Sequence, residues 1–380
     1  MRIALATSSY APHVGGVEEH VRNLADVLRR RGHEIAVWTV ARDGKFSQQQ
    51  RDGVQVWNLP APLPARTLRD VAQFATAAPR AWSQWNRAFR ALKPDVIHVH
   101  CFGPNGTYAN ALAARHQTTL MVSSHGETLA DDAGVFEHSR LAQTSLRSAV
   151  HRSAIVTGCS RVVLADLEAR FGLDSDKGFV VPNGIDLHET TTADTSASVL
   201  PGVTGRYVAA VGRLQRVKGF DLLVHAFARA QLGADVSLVI GGDGPERTRL
   251  RELAVQNGIG HQLVLPGQLS RGQVAELLRN AAAVAVPSRF EAFGIAALET
   301  WRAETPLIVT NRGGPPEFVT HEVDGLLCDP TAIDTFAAFI ATVLDNSSFA
   351  RTLAENGRRR VESFTWDHTA SAYEALYAQF

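Results

Sequence analysis

A chain of 380 residues is too long for one ordinary domain and long enough for two, each with its own hydrophobic core. Its 38 Lys and Arg balance its 38 Asp and Glu, so net charge predicts binding neither to nucleic acid nor to a membrane surface. The three cysteines, Cys101, Cys159 and Cys328, are widely spaced. They predict no disulfide framework and no zinc site, and they favour a reducing, cytoplasmic compartment.

Short apolar runs alternate with amphipathic stretches through the first half of the chain. The runs predict buried parallel strands at Ile3–Ala6, Ile35–Val40, Val96–Val99, Leu120–Ser123 and Ile155–Thr157. The first of these runs is too short for a signal peptide, and no apolar stretch is long enough to span a bilayer. Val17–Arg31 and Arg161–Arg170 predict connecting helices, with Ser160 as the N-cap of the second.

The pattern breaks at Val181–Asp186, where Pro, Asn and Gly follow one another, and the Thr/Ser/Ala-rich stretch Glu189–Val199 predicts a surface loop. It then restarts with predicted strands at Tyr207–Val211, Val236–Ile240, Leu263–Leu265, Ala283–Val286 and Leu307–Thr310. Trp366–Phe380 has helical spacing. We therefore predict an α/β chain with two parallel sheets, whose carboxyl-terminal strand edges are where ligands bind.

Glycines mark two of these strand ends. Gly15-Gly16 follows the first strand and precedes a helix, where a ligand can approach the backbone and an anion can meet free N–H groups. The motif lacks the G-x-G-x-x-G spacing, so NAD is not predicted, and a tight turn is the alternative. Gly241–Pro245 follows a strand of the second half and contains three glycines, including Gly242.

A pair of cations follows another strand end of the second half. Arg213 comes directly after Gly212, and Lys218 lies five residues further on. An Arg fork and a compact Lys charge beside a glycine-containing turn suit a diphosphate. The alternative is two solvated surface cations.

The most specific feature is a pair of glutamates, Glu291 and Glu299, at the start of a predicted helix. The helix begins near Gly294, so its free N–H groups can hold a phosphate. A carboxylate within the helix can accept hydrogen bonds from a ribose diol, and one in the loop can hold sugar hydroxyls. One capping and one surface glutamate is the alternative, but Ile295–Trp301 is nearly all apolar, so an ionised Glu299 is costly unless it is paired.

Two further features bear on chemistry and metal binding. His125 follows a strand of the first half, where it would lie at a ligand-binding edge, although a single His is more often structural. Asp174-Ser175-Asp176 has a metal-binding form but follows Gly172 in a predicted turn. Because no other cluster of carboxylates or histidines is evident, we predict no metal site.

Together these motifs resemble the retaining glycosyltransferases of the GT-B fold in family 4, the glycosyl transferases group 1. The resemblance covers nearly the whole chain, and Ala292 is a mild departure where Gly is common. It also includes the motifs His125-Gly126, Pro182–Asp186, Lys218-Gly219, Gly313-Gly314 and Glu317. It implies two Rossmann-like domains facing a central cleft: an acceptor-binding domain at 1–182, a nucleotide-sugar-binding domain at 183–364, and a C-terminal helix at 365–380 that returns to the first.

The resemblance implies retaining transfer from a nucleotide diphosphate sugar, a UDP-sugar first and GDP-mannose second, to a hydroxyl acceptor without metal or other cofactor. Arg213 and Lys218 would neutralise the leaving diphosphate. Glu299 would bind the ribose, and Glu291 would hold hydroxyls of the donor sugar. The remaining implied donor-site residues are His125 near the sugar, Gly16 over the diphosphate, and Gly15, Gly212, Gly242, Phe293, Gly294 and Ile295. Retention is explained in this family without a protein nucleophile, so Glu291 is not assigned that role.

Two other functions fit the same fold. A non-hydrolysing nucleotide-sugar epimerase would not need the Glu291/Glu299 spacing. A non-catalytic nucleotide-sugar-binding protein would not need both cations and both carboxylates.

The segment Arg66–Lys93 bears on the acceptor. It has six basic residues against one acid, Asp70, and it carries Phe74, Trp82, Trp85 and Phe89. Basic residues among tryptophans suit an anionic membrane, which would mean a lipid-linked acceptor and peripheral contact at the inner membrane face. The favoured alternative is an amphipathic helix pair interrupted at Pro79, with its aromatics against the first sheet and its arginines in water.

Overall fold

The computed structural model describes residues 1–12, 15–64, 67–129, 134–188 and 205–380. They form two compact units, each with a sheet at its centre. Unit 1 comprises Met1–Gly184 together with Trp366–Phe380, and unit 2 comprises Ile185–Thr365. The predicted loop Glu189–Val199 lies outside the described residues.

Unit 1 contains an eight-stranded sheet with the order β3-β4-β2-β1-β5-β6-β7-β8. Every neighbouring pair is parallel except β3 and β4, which are antiparallel. The strands are β1 (Arg2–Thr7), β2 (Glu34–Val40), β3 (Ser47–Arg51), β4 (Val54–Leu59), β5 (Val96–His100), β6 (Thr119–Ser124), β7 (Ile155–Gly158) and β8 (Gly178–Val180). All five strands predicted for this half are confirmed. Three more were missed.

Helices cover both faces of this sheet because side chains along each strand alternate between them. On β1, Ala4 and Ala6 pack in one core with Trp85, whereas Ile3 and Leu5 pack in the other. The helices of unit 1 are α1 (Gly16–Arg30), α2 (Leu68–Leu92), α3 (Pro104–His116), α4 (Val135–His138), α5 (Arg140–Arg152), α6 (Arg161–Phe171) and α13 (Trp366–Tyr377).

The last helix, α13, belongs to unit 1 although it follows the whole of unit 2 in sequence. Its Tyr373 and Tyr377 are buried in the same core as Leu24 of α1. The Tyr377 hydroxyl lies 2.6 Å from Nδ1 of His98 on β5. A second segment of the chain thus completes this core.

One continuous helix, α2, occupies most of the basic, aromatic segment, so the predicted helix pair is wrong. Pro79 lies inside this helix, whose second half packs on the core through Trp85 and Phe89. Arg80, Arg87 and Arg90 are exposed. The arrangement of aromatics against the sheet and arginines in water matches the favoured interpretation, while Arg66 and the side chain of Arg69 lie outside the described residues.

The predicted N-cap of α6 is correct in position and wrong in chemistry. Ser160 precedes the helix, but its hydroxyl makes no capping hydrogen bond. Within the described part of the chain, this buried oxygen has no hydrogen-bond partner. The Ser160 side chain therefore does not stabilise the start of α6 by a capping hydrogen bond.

Unit 2 contains a six-stranded, all-parallel sheet with the order β11-β10-β9-β12-β13-β14. Its strands are β9 (Tyr207–Val211), β10 (Ser237–Gly241), β11 (Leu263–Gly267), β12 (Ala283–Val286), β13 (Leu307–Thr310) and β14 (Leu326–Cys328). Its helices are α7 (Phe220–Arg229), α8 (Arg247–Gln256), α9 (Arg271–Arg279), α10 (Ile295–Arg302), α11 (Ile333–Asp345) and α12 (Ser347–Arg360). The five predicted strands are confirmed, and the three-residue β14 was missed.

None of the helices in the described ranges has both the length and the apolar character that crossing a bilayer requires.

Helix α10 is held against α12 at a point where a side chain would not fit. Trp301 of α10 is fully buried, and a Cβ at Gly357 of α12 would overlap its indole ring. Replacing a helical Gly by Ala ordinarily stabilises a protein by up to about 1 kcal/mol. Here we expect Gly357→Ala to lower the free energy of unfolding by about 1–3 kcal/mol, because overpacking outweighs the helix propensity.

Thermal and denaturant unfolding measure this effect. Glu355→Ala, at an exposed position of the same helix, is the matched control and should change stability by less than about 0.5 kcal/mol. A Gly357→Ala protein as stable as the wild type would contradict the packing described here.

Candidate active site

Loops that follow β9 and β10 touch backbone to backbone at the carboxyl edge of the unit 2 sheet. Gly242 has a φ of +135°, and a Cβ there would overlap the carbonyl oxygen of Gly212. The Leu214 N–H donates to the carbonyl of Asp243 at 2.9 Å. Only glycine fits at position 242, and the loop carrying Arg213 is held in place by its neighbour.

Lys218 and Glu291 form an ion pair at this edge. The Nζ of Lys218 donates to Oε2 of Glu291 at 2.7 Å, and the Ser288 hydroxyl donates to the same oxygen at 2.8 Å. The Glu291 side chain is 13% exposed and that of Lys218 is 28% exposed, so the pair is partly shielded from solvent. The Arg213 side chain is exposed, and its guanidinium makes no hydrogen bond or ion pair with the other described residues. The site therefore carries one compensated and one uncompensated cation.

The backbone of Glu291 is fixed from the neighbouring loop after β13. Its N–H donates to the carbonyl of Arg312 at 3.1 Å, and its carbonyl accepts from the N–H of Gly314 at 2.8 Å. Gly313 lies between these contacts with a φ of +109°, and a Cβ there would overlap the Glu291 carbonyl. These contacts give a structural role to the glycine pair at 313 and 314.

A second ion pair ties the Lys218 turn to the Glu291 loop, and the sequence interpretation missed it. The guanidinium of Arg289 donates to both carboxylate oxygens of Asp221 on α7, each at 2.7 Å. Arg289 also donates to the backbone carbonyls of Arg216 and Val217. Burial alone would raise the pKa of the Asp221 carboxyl, but its bonds with Arg289 hold that pKa below its usual value. The pair thereby fixes the spacing between the two elements.

Helix α10 begins at this edge of the sheet, and the N–H groups of its first turn have no acceptor within the helix itself. Gly294 precedes it with a φ of +103°, and Ile295 is its first residue. The ring of Phe293 is buried and stacks on Phe318 with centroids 4.7 Å apart, so this position offers its backbone rather than its side chain.

Glu299 lies on the same helix, and its charge is compensated. Burial of the Arg271 guanidinium lowers its pKa, whereas the negative charge of Glu299 raises that pKa. The two side chains are therefore close enough for their opposite charges to attract each other. Glu299 also lines a small cavity of about 80 Å³ with Arg279 and Arg302. A carboxylate in an apolar helix is therefore accommodated by neighbouring cations, as the sequence argument required.

The predicted site residues of unit 1 lie at one strand end and at one helix start. Gly15 has an extended backbone and precedes α1, which begins at Gly16. Among the described residues, the atoms nearest to a Cβ at Gly15 would belong to the flexible side chain of Glu18, so these contacts alone do not require glycine there. His125 follows β6 and packs against His20 and His100, with ring centroids 4.6 Å and 5.5 Å away.

Four histidines, His20, His98, His100 and His125, form a cluster of contacting rings in unit 1 and are wholly or largely buried. Burial lowers the pKa of His20 to about 4 and holds the pKa values of His98, His100 and His125 well below the usual range. Nearby Glu127 accepts hydrogen bonds from the backbone N–H groups of Phe102 and His125, and burial raises the pKa of its carboxyl. Burial therefore favours the neutral form of all four rings.

The structure thus divides the predicted residues between the units. Gly212, Arg213, Lys218, Gly242, Glu291, Phe293, Gly294, Ile295 and Glu299 lie in unit 2, and Gly15, Gly16 and His125 lie in unit 1. Lys218 and Glu291, assigned to different parts of a ligand, are in direct contact. Ser175–Lys177 forms a single turn of 3₁₀ helix, and Asp174, which precedes it, pairs with Lys177 at 3.2 Å, in keeping with the predicted turn.

Comparison with known proteins identifies the family. The model for glycosyl transferases group 1 matches residues 194–360, and that for glycosyltransferase family 4 matches residues 14–189, so together they cover most of the chain. The protein belongs to the family 4 glycosyltransferases. An uncharacterized glycosyltransferase of Methanocaldococcus jannaschii, MJ1607, is 29% identical to this family 4 enzyme over 99% of the chain and 98% of its own length.

Solved structures agree on the fold of this family 4 member, which is GT-B. Sucrose-phosphate synthase from Thermosynechococcus elongatus has a TM-score of 0.78 and 22% identity, covering 99% of this chain and 98% of its own. Anabaena HepE in complex with UDP-glucose has a TM-score of 0.76 and 19% identity, covering all of both chains.

The ion pair between Asp221 and Arg289 yields a test of how the glycosyltransferase holds its site loops. Asp221→Leu leaves a partly buried guanidinium unpaired and should destabilise unit 2 by about 2 kcal/mol, less than is typical of fully buried pairs. The double variant Asp221→Leu/Arg289→Met removes both charges and should be more stable than Asp221→Leu alone. Denaturant unfolding of both variants and of Arg289→Met measures the coupling, and strictly additive losses would contradict it.

Proposed function

We propose that this family 4 enzyme is a retaining glycosyltransferase that moves a sugar from a nucleotide diphosphate sugar to a hydroxyl acceptor without a metal ion. The observation that carries the proposal is the grouping of Arg213, the Lys218–Glu291 pair and the start of α10 at one sheet edge of unit 2. Two cations and a helix N-terminus supply positive potential for a diphosphate, and two carboxylates supply hydrogen-bond acceptors for hydroxyls.

The chemistry assigns each group a part of the donor. Arg213, whose guanidinium has no anionic partner in the described part of the chain, would bind the diphosphate, joined by Lys218 and the backbone donors of Gly294 and Ile295. Glu299 would accept from the ribose hydroxyls. Glu291, already held by Ser288, would accept from hydroxyls of the transferred sugar.

The bond that breaks joins the sugar, which Glu291 would hold, to the diphosphate, which Lys218 would bind. The contact between Lys218 and Glu291 would therefore fix the groups on both sides of this bond relative to each other. In the reaction, the bond between the anomeric carbon and the phosphate oxygen breaks as the acceptor oxygen bonds to that carbon on the same face. The acceptor proton passes to the leaving diphosphate. The carboxylate of Glu291 is neutralised in part by its ion pair with Lys218. Its role would therefore be to position the sugar relative to Lys218, and it would not attack the anomeric carbon. Stabilising charge that develops on the leaving group is commonly the largest catalytic effect.

A UDP-sugar is the favoured donor, with GDP-mannose as the alternative. The structurally similar HepE of Anabaena was solved with UDP-glucose, and this similarity supports the preference. Gly15, Gly16 and His125 of unit 1 would contribute to donor binding. Unit 1 would also hold the hydroxyl acceptor, and a lipid-linked acceptor stays a prediction.

We expect Arg213→Ala, Lys218→Ala and Glu291→Gln each to lower the rate of donor turnover by about 100-fold or more at saturating donor, because each removes preorganised charge at the leaving group or sugar. Release of nucleoside diphosphate from a panel of UDP-, GDP- and ADP-sugars measures the activity and selects the donor. Arg216→Ala is the matched control: it removes an exposed cation from the same turn and should keep most of the activity.

Two outcomes would contradict the assignment. Near-normal rates for both Arg213→Ala and Lys218→Ala would remove the diphosphate role. A wild-type chain that releases no nucleoside diphosphate from any donor, with or without candidate acceptors, would favour a binding protein instead.

Turnover should persist in excess EDTA, because the cations of unit 2 do the electrostatic work of a metal at the diphosphate. Initial rates with EDTA are compared with rates in EDTA presaturated with Mg²⁺, which controls for ionic strength and chelator binding. Loss of activity in free EDTA, with recovery on adding Mn²⁺ or Mg²⁺, would refute metal independence.

A further inference from the structure

One carboxylate joins two loops at the carboxyl edge of the unit 1 sheet. Oε1 of Glu127 accepts a hydrogen bond from the backbone N–H of Phe102 at 2.7 Å, and Oε2 accepts one from the backbone N–H of His125 at 2.8 Å. The Ser124 hydroxyl also donates to Oε2, at 3.0 Å. Phe102 follows β5 and His125 follows β6, and these strands are neighbours in the sheet. The two oxygens of one side chain therefore bridge the two strand ends.

Only a carboxylate can accept from both of these backbone N–H groups at once. An ionised carboxylate has acceptors on both oxygens and no donor. Glutamine has nearly the same shape, but its NH₂ group would face one of the two backbone donors in either orientation of the amide. Burial raises the pKa of the Glu127 carboxyl, and the hydrogen bonds from Phe102, His125 and Ser124 oppose that rise because they favour the ionised form. The bridge therefore depends on the chemistry of the side chain as well as on its size.

The bridge connects His125 to parts of unit 1 that are themselves held in place. The Phe102 side chain is buried in the core that also contains Trp85. On the other side, the carbonyl of Thr128, the residue after Glu127, accepts from the Arg170 guanidinium of α6 at 2.9 Å. Glu127 thus fixes the backbone at His125 to the core on one side and to α6 on the other.

We propose that Glu127 is a positioning residue for sugar transfer and that it acts through His125. The proposal rests on the proposed function, in which His125 contributes to donor binding. The His125 imidazole is located by its backbone bond to Glu127 and by its ring contact with His100, whose Nδ1 lies 3.2 Å from Nε2 of His125. Displacing a group at a reacting centre by about 1 Å can lower a rate by about 100-fold. Glu127 exerts this effect without touching the substrate, since its oxygens already accept from three protein donors.

Steady-state kinetics of an isosteric variant test the positioning role. Glu127→Gln removes the acceptor from one backbone N–H, and we expect kcat for nucleoside diphosphate release to fall by about 10–100-fold, with KM for the donor changed by less than about 3-fold. Circular dichroism measures the folded fraction, to which kcat is normalised. Glu168→Gln makes the same chemical change at an exposed position of α6 and is the matched control. A normalised kcat for Glu127→Gln equal to that of the wild type would overturn the proposal.

A double-mutant cycle shows whether Glu127 acts through His125. His125→Ala removes the ring that Glu127 positions, so adding Glu127→Gln to this variant should change kcat by less than about 3-fold. Two independent roles would instead give losses that multiply. Multiplied losses, or a His125→Ala enzyme with the wild-type kcat, would overturn the proposal.

A measurement that needs no turnover separates this proposal from the proposed function. In a chain with isotope-labelled histidines, the NMR signals of the His125 ring are assigned by their loss in His125→Ala. We expect Glu127→Gln to shift these signals and Glu168→Gln to leave them in place. An unshifted His125 ring in folded Glu127→Gln would overturn the positioning role. Shifted signals in a protein whose wild type turns over no donor would support the link between Glu127 and His125 and overturn the proposed reaction.

Discussion

The site of unit 2 depends on how closely its loops approach one another. Gly242 lies against the backbone of Gly212, and Gly313 lies against the backbone of Glu291. Both glycines have positive φ, and neither contact leaves room for a Cβ. Loops ordinarily vary in position, but loops joined at the backbone move only together. The charged groups they carry are consequently placed before any ligand arrives, which is the condition for electrostatic catalysis.

The cations at this edge of the sheet differ in how far other protein groups pair with them and shield them from solvent. The Arg289 guanidinium is bonded to both carboxylate oxygens of Asp221 and to the Arg216 carbonyl, and the Arg289 backbone N–H donates to the Val217 carbonyl. Lys218 is shared, since Glu291 neutralises it in part while leaving it 28% exposed. Cations close together in sequence therefore differ in how far the protein already neutralises their charge, a distinction that residue type alone does not reveal.

The sequence predicted what depends on local pattern. Buried parallel strands such as Tyr207–Val211 were predicted correctly because their sequences are continuous apolar runs. Strand β3, with the sequence Ser-Gln-Gln-Gln-Arg, was missed because an exposed edge strand carries no apolar signal. The glutamate pair was found from its spacing within one loop and helix. The Arg289–Asp221 pair and the histidine cluster were missed because each joins residues from separate elements, which only the folded topology brings together.

The place of α13 in the core of unit 1 has a consequence for how the chain folds during synthesis. The strands of unit 2 in the described residues lie between positions 207 and 328, and unit 2 as a whole is the continuous stretch Ile185–Thr365, so it can form from one uninterrupted piece of chain. Unit 1 lacks the hydrogen-bond partner of His98 Nδ1 and part of the cover for α1 until Tyr377 has left the ribosome. The half of the molecule made first is therefore the half that is finished last, and its exposed apolar surface must wait through the translation of the entire second unit.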